Sequence, residues 1–195
     1  MVIIRLKGGL GNQMFQYAFG KALSMRKNEP LFLDTSIFGH EPKIDTPRKY
    51  ALDVYNISAT ITDRATIAKY NTKGKVLLRK IKRRLLRLND YSFHPSLLKS
   101  KSSYHEGYWN NEKYFKNIAK EIRHYFTLKN KLTDQAEKIH EELIRAKTTE
   151  IKTVSLHVRR GDYISNPYAF EQHNILSMDY YHSALEFITS KIPKD

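Results

Sequence analysis

The sequence predicts an α/β protein with a parallel sheet, arranged in two domains of which the second has only begun. Three observations carry this. Residues 2–6 (VIIRL) form a short apolar run of strand length. The run leads into Gly8-Gly9-Leu10-Gly11-Asn12, after which Phe15, Ala18, Ala22 and Met25 recur at three- and four-residue steps, the period of a helix with one apolar face. A second short run, Leu31-Phe32-Leu33-Asp34, follows Asn28, Glu29 and Pro30, so the order is strand, glycine loop, helix, strand.

The rest follows in chain order. Residues 36–66 read as loop-rich, with Pro42 and Pro47, and 89–111 as irregular. A basic helix is expected over 73–88 and another over 112–126, with Phe115, Ile118, Ile122 and Tyr125 on one face. Asp134 is expected to cap the next helix, with Glu137 completing a capping box and Ile139, Leu143 and Ile144 as its stripe. Residues 153–158 (TVSLHV) read as a strand that opens a second domain, with the boundary near residue 150. A loop holding Asn166 and Pro167 then precedes a last helix over 179–190.

The composition restricts function. The 195 residues are 41% hydrophobic and include 13 Tyr and 9 Phe, enough to build a packed core. Without cysteine there is no disulfide framework and no thiolate metal site. No run has the length of a membrane span, and residues 1–7 do not resemble a signal peptide, so a cytoplasmic location is expected. The net charge of +14 points to anionic partners. Eight of the 34 basic residues and none of the 20 acidic ones fall in 73–88 (KGKVLLRKIKRRLLRL), which therefore supplies more than half of the excess. Its Val76, Leu77, Ile81, Leu85 and Leu88 suit either packing on the core or peripheral contact with the anionic inner face of a membrane. It lacks interleaved aromatics, so nucleic acid is not the expected partner.

Two constellations carry chemistry. Arg159 and Arg160 fall where the 153–158 strand would end, the place where open α/β sheets bind ligands. A guanidinium can grip phosphate oxygens in pairs, each charged hydrogen bond contributing about 1.5–3 kcal/mol. Gly161 allows a sharp turn, and Asp162 stands close enough to orient an arginine. A surface Arg–Asp cluster would have the same sequence. In the opening loop Gly8, Gly9 and Gly11 can expose backbone N–H groups at a helix N-terminus, with Asn12 beside them. Gly9-Leu10-Gly11 and Asp34 also form part of a dinucleotide fingerprint, but position 14 is Met where the third glycine belongs. No Asp-x-Asp occurs, so the metal–diphosphate clamp of many sugar-transfer enzymes is missing.

Taken together, GGLGNQMFQYA at 8–18, GYWNNEKYF at 107–115 and HVRRGDY at 157–163 resemble glycosyltransferase family 11, the α-1,2-fucosyltransferases. The resemblance implies a GT-B-like fold of two Rossmann-like domains. Residues 1–150 would form the acceptor side, and 151–195 the beginning of the GDP-fucose-binding domain. It implies transfer of fucose from GDP-fucose to the 2-hydroxyl of a terminal galactoside, with inversion and without metal or cofactor. Carried over to this sequence, Arg159, Arg160 and Asp162 act on the diphosphate. Gly9, Gly11, Asn12, Gln13 and His157 line the substrate site. Glu171 and His173 could reach an acceptor hydroxyl. Members of the family continue past position 195, so the sequence is expected to be C-terminally truncated. The alternatives are a non-catalytic binder of a GDP-sugar or phosphate, and a basic module for membrane surfaces or nucleic acid.

Overall fold

A computed structural model describes residues 1–40, 42, 46–89, 92–149 and 152–192. The side chains of residues 162, 169, 172 and 173 lie outside the description. The chain divides into two compact units, one of residues 1–41 and 47–130, the other of 42–46 and 131–195.

The first unit carries a parallel sheet of order β3-β2-β1-β4. β1 (Val2–Arg5) pairs with β2 (Leu31–Asp34) and with β4 (Tyr104–Glu106), and β2 pairs with β3 (Thr60–Ile61). Val2, Ile3 and Ile4 are all fully buried, as expected of a strand covered on both faces. Helix α1 (Leu10–Lys27) links β1 to β2. It stops at Asn28, whose left-handed φ of 52° lets the final carbonyls accept from Asn28 N and Glu29 N before Pro30. The expected strand–loop–helix–strand opening is therefore present.

The buried face of α1 keeps Ala18 of the expected stripe, with Phe15 and Ala22 half-buried, but is centred elsewhere. Met25 is 46% exposed, whereas Gln13, Gln16, Tyr17, Phe19, Gly20 and Leu23 are buried. The reason is backbone satisfaction. The Gln16 amide accepts from Lys7 N at 3.0 Å and donates to Lys7 O at 3.2 Å. Lys7 has left the β ladder, and Gln16 takes the place of its strand partner. Gly20 serves close approach, because a Cβ there would come within 2.4 Å of Ile4 Cγ1. Around this contact Ile4, Leu6, Phe19, Leu33, Leu52 and Trp109 form the core.

Between β3 and β4 the chain forms α2 (Arg64–Tyr70) and the basic helix α3 (Lys73–Leu85). The sequence reading missed β3, α2 and β4, each seven residues or shorter, too short for a repeated pattern to stand out. Two 3-10 turns and α4 (Ala119–Tyr125) replace the single helix expected at 112–126, but its stripe does pack on the core through Phe115, Ile122 and Tyr125.

In the second unit α5 (Asp134–Thr148) is capped by Thr133, whose hydroxyl accepts from Ala136 N, and not by Asp134. Its Ile139, Leu143 and Ile144 are about half exposed. Residues 152–160 form no strand. A strand requires a ladder, and among the described residues no segment pairs with this one; Val154, Leu156 and Val158 stand exposed. Short helices α6 (Asp162–Ser165) and α7 (Pro167–His173) occupy the expected loop, and α8 (Met178–Lys191) follows.

Replacing Gln16 by Leu keeps the volume but leaves the Lys7 N–H and C=O without their partner. The expected loss is about 2–4 kcal/mol, read as a lower urea midpoint at unchanged slope. An unchanged midpoint would show that the amide does not hold this turn.

Candidate functional site

In the first unit the site residues gather at the carboxyl edge of the sheet. Beyond β1 the chain turns through Gly8 at φ +77°, where a Cβ would meet Asn12 Nδ2 at 2.7 Å. Gly9 is the N-cap of α1, so no side chain caps the helix, and no acid stands in its first turn. Gly11 is exposed with open space around its Cβ position. The orphan N–H groups of a long helix and its positive dipole end thus face outward beside two glycines. Asn12 is half-buried and accepts from Asn110 Nδ2 at 3.4 Å.

Gln13, expected to line a cleft, is sealed inside. Its Nε2 donates to Gly8 O and Lys49 O at 2.9 and 2.8 Å, and its Oε1 accepts from Ala51 N at 3.0 Å. It shapes the glycine loop from behind and presents no polar atom to a ligand. Asp34 is equally committed. It is fully buried, accepting from Tyr104 Oη at 2.5 Å and from Ser36 N at 2.9 Å, which removes the ribose acceptor required by a dinucleotide reading. Burial, together with this bond, pushes the Tyr104 phenol far above its ordinary pKa.

Sequence reasoning did not single out the groups at the end of β4. Trp109 is 3% exposed, stacks on Phe19 at 4.1 Å and holds a left-handed φ of 50°, an unusual backbone state for a bulky residue. Its Nε1–H and the neighbouring Asn110 Oδ1 are both buried without a hydrogen-bond partner among the described residues. Two buried polar atoms on consecutive residues without partners among the described residues mark places where a ligand can supply what the protein does not. The only available signal was the GYWNN string itself, which gives no geometry.

In the second unit His157, Arg159 and Arg160 are exposed. The Arg159 guanidinium lies 4.5 Å from the Tyr163 ring centroid. Gly161 turns the chain at φ +46°, and Arg160 O accepts from Tyr163 N at 3.0 Å as α6 begins. The Asp162 side chain, expected to orient an arginine, lies outside the described residues, as does that of His173. Glu171 is exposed on α7. Gly9–Gln13 and His157–Asp162 fall in different units. Among the described residues no three His, Asp or Glu side chains gather as metal ligands, and no helix is long and apolar enough to cross a membrane.

An open parallel sheet with a glycine turn after its first strand, leading into a helix N-terminus, places the first unit in the Rossmann-like class of α/β proteins. The chain belongs to glycosyl transferase family 11, whose model matches residues 1–194. It is 32% identical to an O-antigen biosynthesis glycosyltransferase, WbnK, of Escherichia coli, over 94% of this chain and 66% of that protein. It is 30% identical to an α-1,2-colitosyltransferase of Escherichia coli, over 98% of this chain and 65% of that protein. The chain thus spans slightly less than two thirds of the length of these relatives. No solved structure matches it.

Beside this edge, β4 buries His105. Its Nε2 donates to Ser102 O at 2.9 Å, and the Phe19 ring stands edge-on to it. Desolvation, reinforced by the cationic Lys27, Arg79 and Lys82, pulls its pKa down to about 4. The folded state therefore resists a proton that the unfolded chain accepts near 6.5. Stability is full above pH 6.5 and falls as pH drops toward 4, by about 3 kcal/mol from this group. Urea unfolding across that window should show the decline, and His105→Gln should flatten it. Equal slopes in the two proteins would assign the effect elsewhere.

Proposed function

We propose that the protein transfers fucose from GDP-fucose to the 2-hydroxyl of a terminal galactoside, with inversion and without a metal. Colitosyl transfer, named for one relative, is the variant reading of the donor sugar. The observation that carries the proposal is the family match through residues 1–194, which includes both the glycine loop and the arginine turn. In this reading residues 1–150 hold the acceptor side, and 151–195 begin the donor side in a GT-B-like arrangement.

The chemistry follows from charge. As the sugar leaves, negative charge grows on the β-phosphate of GDP. Arg159 and Arg160, permanently cationic, stabilise that charge more in the transition state than in the ground state. Loss of such a group costs on the order of 3 kcal/mol, as with an oxyanion-hole donor. His157 and Asp162 shape the clamp. On the acceptor side Gly9, Gly11 and Asn12 offer backbone and amide groups, with Gln13 fixing their loop from within.

Arg159→Ala and Arg160→Ala should each weaken GDP binding by about a hundredfold in calorimetry and lower transfer of labelled fucose to a β-galactoside. EDTA should leave transfer unchanged. Binding without transfer would point to a non-catalytic GDP-sugar binder. Unchanged affinity in both variants would remove the diphosphate clamp.

The basic helix adds a location to this reading. On α3 Leu77, Leu78, Ile81 and Leu85 are 46–77% exposed, among eight cations in 73–88. Apolar groups ringed by cations fit the surface of an anionic bilayer, so we place the protein peripherally on such a membrane. Co-sedimentation with phosphatidylglycerol vesicles should fall about tenfold in a Leu78→Ser/Leu85→Ser variant, while both residues are too exposed for the fold to depend on them. Undiminished sedimentation would remove α3 as the anchor.

A further inference from the structure

Helix α3 is mounted with its apolar side outward. Arg79 and Arg83, one turn apart, are half-buried toward β4, while Leu78 and Leu85 are two-thirds or more exposed. Guanidinium groups turned inward require a reason, because desolvating a cation is costly unless something compensates it. What lies under them is a cavity of about 290 Å³, wholly within the first unit, near the lower end of the size range of ligand pockets. None of Gly9, Gly11, Asn12 and Gln13 lines it.

Its wall is cationic. Lys7, Arg79, Lys80, Lys82 and Arg83 contribute to it, against a single carboxylate among the described residues, Glu106. That carboxylate is already engaged by Arg5 and Lys7, at 3.4 and 3.9 Å. Arg79 has neutral company: it bonds Asn71 Oδ1 and lies 4.8 Å from the centre of the Tyr104 ring. Among the described residues no carboxylate pairs with Arg79, Lys80 or Lys82. Desolvation accordingly lowers the Arg79 pKa from its ordinary value. The lining includes Trp109, whose buried indole N–H has no acceptor among the described residues and whose backbone is held in the left-handed region. Arg79, Lys80 and Lys82, none paired with a carboxylate among the described residues, and an N–H without a partner among them describe the complement of an anion rich in acceptor oxygens. A carboxylate brings one charge and two oxygens. A phosphoryl group brings up to two charges and three oxygens, which matches these three cations and an indole better. The lining also includes Val76, Leu88 and Leu97, which favours an organic phosphate over a bare ion.

We propose that this cavity binds the phosphoryl group of an organic phosphate or diphosphate, with Arg79, Lys80, Lys82 and Arg83 as its cationic wall and the Trp109 indole N–H as a neutral donor. The site is separate from the arginine turn at 159–160 and does not depend on the catalytic reading.

Trp109 is the only tryptophan in the chain, so its emission reports on this cavity. Two soluble probes separate the sources of phosphate: inorganic pyrophosphate, and glycerophosphoglycerol, the headgroup of phosphatidylglycerol. Titrated into the full chain, pyrophosphate should change Trp109 emission saturably, more tightly at low salt. A saturable response to glycerophosphoglycerol instead, a diester with one charge and two terminal oxygens, would overturn the assignment to a terminal phosphoryl group. Lys80 and Lys82 are exposed, so Lys80→Ala/Lys82→Ala should fold normally and bind about tenfold more weakly, with Arg83→Gln as a second test of the wall. Arg159→Ala/Arg160→Ala should leave the response unchanged. Absence of a saturable change with both probes, or equal affinity in the lysine and Arg83 variants, would overturn the proposal.

Discussion

Two buried glutamine amides hold the carboxyl edge of the sheet in shape. After β1 the backbone leaves the ladder at Lys7, yet it is still enclosed and still needs partners. Gln16 supplies both, one bond to the Lys7 N–H and one to its carbonyl. One turn earlier Gln13 ties Gly8 to Lys49 and Ala51. The glycine loop is therefore not loose. Its inner side is fixed by side chains from the helix that it introduces, which leaves its outer side bare at Gly9 and Gly11. An exposed, uncapped helix end on a rigid support can accept an anion without first being ordered.

The same amides explain where the sequence could be read and where it misled. The order β1, glycine loop, α1, β2 was legible because short apolar runs and one glycine cluster are local signals. The buried face of α1 was not, since Gln13 and Gln16 carry polar side chains that a periodicity rule sends to solvent. They are inside because the backbone at Lys7 and Gly8 and at the distant Lys49 and Ala51 requires them, and that demand has no signature in a hydrophobic pattern. Residues 153–158 are the converse case. Their local pattern is that of a strand, but a strand exists only with a partner, and no described segment provides one. The family strings at 8–18, 107–115 and 157–163 were visible without structure. Their distribution over two compact units, and the burial of Gln13, needed coordinates.

Helix α3 shows how charge can decide orientation against hydrophobicity. Its pattern allowed packing of the leucines on the core, which would have buried about 1.5–3 kcal/mol per side chain. Instead Arg83 donates to the backbone carbonyl of Glu106 at 3.5 Å, and Arg79 covers the Tyr104 ring. β4 is an edge strand, and an edge presents unpaired carbonyls. Guanidinium groups laid along that edge satisfy one of these and keep other strands away. The leucines are displaced outward as a consequence, and the membrane reading and the cationic cavity are two results of one orientation.

The arginine turn stands in physical contrast to the glycine loop. Electrostatic stabilisation of a departing diphosphate works when the cation is fixed before the charge develops. Gly8–Gln13 meets that standard through buried bonds to residues as distant as Ala51. Arg159 and Arg160 are exposed, with the Tyr163 ring 4.5 Å from the Arg159 guanidinium and the turn at Gly161 directly after them. Val154, Leu156 and Val158, immediately before them, alternate with polar residues in sequence and are all exposed, an apolar strand face with no cover among the described residues. Once such a face is packed and its backbone laddered, successive side chains point in opposite directions. One of Arg159 and Arg160 would then face the ligand and the other the protein. The diphosphate role proposed for the pair therefore calls for strand formation at 153–158, which would turn one guanidinium toward the ligand and fix it before charge develops.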